Sequence, residues 1–199
     1  MRSAFWSRIP LSFAQWAESK LPRRSRMKMR WFWILGLCAL FSVGQALAQQ
    51  SAKKPIPVEK LASFLKDLTG WKAEGQAEGQ TMKVAEGTYT VAYRSYSQGD
   101  KGLEITLVDG AGIKQAYEDY EDLKAEASAS GPNPAKMVTV AGFPAVEIFE
   151  KESETATLMV LIKERFLLII DLEGATAKDD LKAIANQLDL KGLASLAGS

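Results

Sequence analysis

The stretch LMVLIKERFLLIIDL, residues 158–172, decides the fold class of this chain. Two nearly continuous apolar runs, 158–162 and 166–172, flank three charged residues at 163–165. A single helix would place those charges in the centre of an apolar segment, so the pattern predicts two central strands joined by a charged turn. We expect six of these side chains to be among the most buried of the protein: Leu158, Val160, Ile162, Phe166, Leu168 and Ile170.

Other segments alternate between apolar and polar residues with the period of a strand. Together with the central pair, this alternation predicts strands at 89–96, 103–108, 145–150, 157–162 and 166–172. Val138 and Val140 add a shorter segment, whereas the glycine-rich stretch 75–87 is expected to be irregular. Because strands follow one another in runs, the order favours an antiparallel sheet over a doubly wound parallel sheet.

Three segments have the apolar spacing of an amphipathic helix. They begin at Val58, at Ile113 and near Leu181, and Thr176 with Asp179 resembles a capping box before the last one. The predicted fold is therefore α+β, with an antiparallel sheet of five or more strands packed against about three helices.

Residues 27–48 have the order of an export signal. Lys28 and Arg30 precede an apolar run at 31–44, and Ala46-Leu47-Ala48 has the small-residue pattern that signal peptidase recognises. The run is shorter than the roughly 20 residues that a spanning helix needs, so we expect cleavage before Gln49 rather than a retained anchor. The predicted location is the periplasm or the outside of the cell, with no stable membrane anchor after cleavage.

This signal sets the predicted domain organisation. Residues 1–26 are expected to be a non-native or disordered extension, 27–48 the signal peptide, 49–57 a flexible leader, 58–192 a single α+β domain and 193–199 a frayed tail. Residues 49–199 carry 17 basic and 23 acidic side chains, which is a net charge of −6. Because phosphate binding requires clustered basic charge, no nucleic acid and no anionic lipid is expected as a main partner.

The chain contains no histidine, and its one cysteine, Cys38, lies inside the export signal. Histidine is the commonest general base at neutral pH and the commonest metal ligand. Its absence excludes zinc, copper and haem sites of the usual kind and Ser-His-Asp triads, and the mature chain has no cysteine nucleophile or disulfide. No cofactor is predicted.

An aromatic set is the predicted place of contact with a ligand or a partner: Trp71, Tyr89, Tyr93 and Tyr96, with Tyr117 and Tyr120 as further members. Such side chains combine a large contact area with a polar tip, and they would line a cleft for a small apolar or sugar ligand. The alternative is that they complete the core between sheet and helices.

Three other clusters are weaker candidates for a metal, phosphate or catalytic site. Carboxylates at 118–122 share one helical face, but calcium prefers a curled loop, so a solvated acidic face is expected. The sequence Asp-Gly-Ala-Gly at 109–112 lacks the residues of a phosphate loop and is interpreted as a turn. Ser95, Ser97, Lys101 and Glu104 supply the residue types of a Ser-Lys hydrolase without its Ser-x-x-Lys motif.

The phrase VTVAGFPAVE at 138–147, followed by two apolar strands and a closing helix, resembles the PsbP-like α/β/α sandwich group. That group contains extrinsic subunits of the photosynthetic oxygen-evolving complex and many exported bacterial proteins. The likeness covers roughly residues 85 to 190 and implies a non-enzymatic accessory or binding fold. It transfers no family ligand to a residue of this chain.

The functional expectation is an exported, non-catalytic accessory or binding protein of the bacterial cell envelope, whose partner is an envelope protein or a small ligand. Two alternatives stay open at this point. One is a periplasmic enzyme of hydrolase type that works without His or Cys, and the other is a structural or assembly factor.

Overall fold

The computed structural model describes residues 53–111, 113–129, 135–176 and 179–198. Within these ranges eight strands form one antiparallel sheet: β1 Lys72–Ala73, β2 Glu78–Val84, β3 Gly87–Gln98, β4 Lys101–Asp109, β5 Ala135–Val140, β6 Phe143–Glu150, β7 Thr155–Ile162 and β8 Phe166–Glu173. The predicted extension and signal peptide lie outside the described residues.

Four helices accompany the sheet in the described part of the chain: α1 Val58–Ala62, α2 Glu118–Ser128, α3 Leu181–Ala185 and α4 Leu190–Ser195. A 3₁₀ turn, Lys114–Tyr117, leads into α2, and another, Leu196–Gly198, follows α4. Asp180 and Asp189 cap α3 and α4 with side-chain carboxylates that accept backbone N–H groups of the first turn. The fold is therefore mainly sheet with a few short helices, and it belongs to the α+β class.

The strand order is β3-β4-β8-β7-β6-β5, and β1 and β2 pair one after the other with the outer side of β3. After β4 the chain leaves the sheet through α2, adds β5 at the far edge and returns strand by strand to β8, which pairs with β4. The antiparallel sheet of five or more strands expected from the sequence is confirmed, with eight strands in the described part of the chain.

The two central strands expected at 157–162 and 166–172 are β7 and β8. All six side chains expected to be most buried have an exposed fraction of 0%. The connection between the strands is a tight turn in which Arg165 donates its backbone N–H to the carbonyl of Ile162 at 3.2 Å. Lys163 and Glu164 reverse the chain direction in this turn. Both have φ of +54°, in the left-handed region, which is unfavourable for residues other than glycine.

The first helix and the glycine-rich stretch differ from the sequence expectation. Helix α1 ends after Ala62, where the chain continues in tighter turns: Phe64 donates its N–H to Leu61 O at 3.2 Å and Leu65 to Ala62 O at 2.9 Å. Beyond these turns, Arg94 donates to Leu65 O at 2.9 Å and Tyr96 donates to Lys66 O at 2.7 Å. Strand β2 occupies 78–84, where irregular structure was expected, because an edge strand with largely exposed side chains lacks a regular apolar alternation.

The sheet buries residues on both faces. The α3/α4 face packs against α1, α3, α4 and the N-terminal segment, and its cluster includes Leu61, Tyr96, Leu168, Ile184 and Leu193. The α2 face packs against α2 and the turn before it, and its cluster includes Tyr89, Val108, Tyr120, Val146 and Leu167. Helix α2 is the one described helix of this second cluster, so part of the α2 face has no helix over it within the described residues.

The described parts of the expected leader and tail, residues 53–57 and 193–198, each contact the rest of the domain. Ile56 is buried, with its backbone N–H donated to the Asp109 carboxylate at 2.8 Å. Leu193 is 1% exposed within α4, and Leu196 accepts a hydrogen bond from Arg165. Apolar burial and a polar contact to the core hold each end, and sequence spacing alone did not reveal either.

Candidate functional site

The uncovered part of the α2 face contains a row of side chains that runs across five strands. We call this set the open row; its members, from β6 to β3, are Ile148, Thr157, Asp171, Glu104 and Ser95. Antiparallel pairing places each member directly opposite the next, so all of them point to the same side of the sheet. The open row therefore presents two hydroxyls and two carboxylates beside one apolar end.

A cavity of about 370 Å³ lies at the β6 end of the open row. Its apolar wall comes from Leu123 of α2 together with Ile148 and Met159 of the sheet. Its acidic side comes from Glu150, Asp171 and Glu173. The volume falls within the range of small-molecule sites, which combine apolar walls with a few placed polar groups.

Glu104 and Asp171 are the electrostatic centre of the open row because they are register partners on β4 and β8. Glu104 is exposed, but partial desolvation by its neighbours on the sheet raises its pKa, and the negative charges of Asp171 and Glu173 raise it further. Desolvation and the charge of Glu173 also raise the pKa of Asp171. The hydroxyl of Thr157 has the opposite effect, because it donates to this carboxylate at 2.6 Å and so stabilises the charged form. Neither carboxylate takes part in an ion pair within the described residues.

Tyr93 extends the same surface toward the β2 edge. It lies on the α2 face of β3, diagonal to Glu104, and 37% of the residue is exposed. Its hydroxyl donates to the Glu78 carboxylate at 3.1 Å, and this bond is the main reason that the pKa of Tyr93 is raised. An exposed aromatic ring therefore stands between two carboxylates.

The predicted aromatic contact set is divided between the two faces of the sheet. Tyr89 and Tyr93 lie on the α2 face, while Tyr96 and Trp71 pack with the α3/α4 face. Tyr89 and Tyr96 are 6% and 1% exposed. The four side chains therefore do not line one cleft, and Tyr93 is the member with the most accessible ring. Contact of any of them with a ligand stays a prediction.

The residue types of a Ser-Lys hydrolase are likewise separated. Ser95, Ser97 and Glu104 belong to the α2 face, whereas the alternation of β4 places Lys101 on the opposite face. There Lys101 forms an ion pair with Asp179 at 2.5 Å. No serine of this set therefore has Lys101 as a base.

The acidic helix and the glycine loop also have structural roles. Glu118, Glu121 and Asp122 of α2 are exposed, as expected for a solvated face. Across the described ranges, no three acidic, histidine or cysteine side chains converge as metal ligands. In the loop after β4, the carboxylate of Asp109 accepts the backbone N–H of Ala111 at 3.1 Å, so this turn already holds an internal anion.

Sequence reasoning identified Glu104 and Tyr93 as candidates but missed Asp171, Thr157 and Glu173. One signal was present, because Asp171 is the lone charge inside the apolar run 166–172. A single carboxylate within the apolar run of a central strand indicates that one face of the strand is exposed to solvent at that residue.

Comparison of the chain with protein-family models, with curated proteins and with solved structures finds no match. Among the described residues, no helix has the length and apolar character required to cross a membrane.

Proposed function

We propose that the protein is an exported, non-catalytic binding protein of the bacterial cell envelope, and that it holds a small cationic ligand on the open row. The observation behind this proposal is the pair of register partners Glu104 and Asp171, two carboxylates without an ion-pair partner in the described chain, beside a cavity with an apolar wall.

Like charges directly opposite each other on neighbouring strands destabilise a sheet. A cation bound between Glu104 and Asp171 removes this repulsion, so binding and stability are coupled. The repulsion between the two carboxylates in the free protein therefore increases the affinity for a cation.

The charges around the open row also favour a positively charged ligand. Five carboxylates lie on or beside the uncovered surface: Glu78, Glu104, Glu150, Asp171 and Glu173. Lys72 of β1, the register partner of Ser97, is a basic residue at the margin of this surface. The ring of Tyr93 adds a π face, which attracts ammonium and guanidinium groups.

The proposal includes the architecture around the site. It takes the domain to be a PsbP-like α/β/α sandwich, with the sheet packed against about three helices. The placement of α2 beside one face of the sheet and of α1, α3 and α4 beside the other supports this part of the proposal. In such a layout the sheet is a rigid platform, and its uncovered surface serves for binding.

Ligand-observed and protein-observed NMR with benzylamine test the site. We expect benzylamine to shift the amide signals of Thr157, Asp171 and Glu104, and to raise the melting temperature. The neutral analogue benzyl alcohol should do neither. The double substitution E104Q/D171N should abolish the difference between the two compounds, and a difference that survives it would place the cation elsewhere.

Export is tested by N-terminal sequencing of the protein recovered from the envelope fraction. We expect the sequence to begin at Gln49, which follows the small-residue pattern at 46–48. An intact N-terminus held in the membrane would show that residues 31–44 act as an anchor.

A further inference from the structure

A second cavity lies on the α3/α4 face, away from the open row. Residues 53–57, which we call the strap, form one wall, and the end of the β2–β3 hairpin forms the other. The cavity measures about 490 Å³, and the hairpin lines it with Thr81, Gly87, Thr88 and Thr90. Nothing in the proposed function uses this space.

The strap is a fixed wall because three hydrogen bonds hold it to the rest of the domain. Its Ile56 N–H binds Asp109 at 2.8 Å, and the carbonyl of Lys54 accepts from Arg165 at 3.2 Å. The ammonium of Lys53 reaches the carbonyl of Ala197 at 2.8 Å. The space between strap and hairpin is thus part of the folded structure.

The lining has one sign of charge. Lys53 and Lys54 contribute two ammonium groups, and the three threonines contribute hydroxyls, with no carboxylate among the lining residues. The nearby Asp109 is 0% exposed and bonded to Arg165 through both oxygens, so its charge is already balanced.

The remaining lining is apolar. Pro55, Ile56 and Pro57 form the strap side of the cavity, and Gly87 leaves the hairpin side without a side chain. A multiply charged anion such as phosphate would lose much hydration against such walls. A monoanion with an apolar body keeps its charge near the lysines and places its hydrocarbon against the prolines.

We propose that this cavity binds a small amphipathic carboxylate. The carboxylate accepts hydrogen bonds from the ammonium groups of Lys53 and Lys54 at the rim, and its hydrocarbon chain lies between the strap and Thr88. This site is independent of the open row, which takes the opposite charge.

Isothermal titration calorimetry with octanoate tests the proposal on protein purified from the envelope of cells that express the full-length chain. We expect octanoate to bind more tightly than octan-1-ol, which has a similar body and no charge. The substitution K53Q/K54Q should weaken octanoate binding about two- to fivefold and leave octan-1-ol unchanged, as expected for exposed ion pairs.

Two further variants separate this site from others. Lys60→Gln removes an exposed charge from α1, outside the lining, and should leave octanoate binding unchanged. Thr88→Phe fills the cavity and should abolish binding, with folding checked by circular dichroism. Absence of octanoate binding, or full binding by a folded Thr88→Phe protein, would overturn the proposal, as would a charge preference that survives K53Q/K54Q.

Discussion

Arg165 and Asp109 form a two-point ion pair that is almost completely removed from solvent. Arg165 Nε donates to Oδ1 of Asp109 and Nη2 donates to Oδ2, both at 3.0 Å, and the two residues are 3% and 0% exposed. The same guanidinium binds the carbonyls of Lys54 and Leu196. One buried charge pair therefore connects β4 and the β7–β8 turn to both ends of the described chain.

The first prediction concerns this pair. Arg165→Met should lower the free energy of unfolding by about 3–5 kcal/mol, because it leaves the buried Asp109 charge without its partner. Urea unfolding followed by circular dichroism measures the loss. The control is Asp67→Asn, which removes the 86% exposed partner of Arg94 and should cost at most about 1 kcal/mol. Equal effects of the two substitutions would show that the burial of Arg165 has little energetic weight.

A second prediction concerns the close contact between α1 and β2 at Gly79. A methyl group there would overlap the carbonyl oxygen of Val91 and lie 2.8 Å from Cγ1 of Val58. Gly79→Ala should therefore destabilise the protein by about 1–3 kcal/mol, since backbone must move. Gly75→Ala is the matched control, because a methyl group at 75 meets nothing within 4 Å. A melting temperature of Gly79→Ala at or above that of Gly75→Ala would contradict the close packing.

The sheet was predictable because its central strands are nearly continuous apolar runs, and the burial of Leu158 and Ile170 followed from those runs and the charged turn between them. The Arg165–Asp109 pair was not predictable, since both residues stand in segments with the composition of exposed turns. Only tertiary pairing decides that such charges are buried. Strand β2 was not predicted for a related reason. Its backbone pairs with β3, but its largely exposed side chains give no apolar alternation that marks a strand.

The third prediction concerns the turn between β7 and β8. Glu164 has φ of +54°, which costs a non-glycine residue about 1–2 kcal/mol. Glu164→Gly removes this strain and should raise the free energy of unfolding by about 0.5–1 kcal/mol after the extra entropy of the unfolded chain is counted. Glu152→Gly, in a turn position without positive φ, should bring no gain. Thermal unfolding of the two variants compares them directly.

The site was predictable only in part. Sequence period places Glu104 and Tyr93 on strands, but it does not say that β8 returns beside β4, which is what brings Asp171 opposite Glu104. In the aromatic set, by contrast, residues that are close in sequence lie apart in the structure. Tyr93 and Tyr96 are close in sequence, yet their odd spacing in one strand sends them to opposite faces of the sheet.

The fourth prediction is a dependence of stability on pH that comes from the open row. The pKa values of Glu104 and Asp171 are raised in the folded protein, mainly by desolvation. The folded state therefore binds more protons than the unfolded chain in the pH range between the ordinary pKa values of 4.5 and 3.8 and the raised ones. Stability from these two groups is highest below those values and falls as the pH rises through the raised pKa values.

Glu104→Gln should therefore raise the melting temperature at pH 7, where it removes the repulsion with Asp171, and should have no effect at pH 3, where both carboxyl groups are protonated in either state. The control Glu86→Gln removes an exposed charge from the β2–β3 turn and should change neither value. Thermal unfolding of the three proteins at both pH values gives the comparison. A Glu104→Gln protein that is less stable than the wild type at pH 7 would mean that a cation of the chain already balances this carboxylate, and it would remove the basis for a cationic ligand.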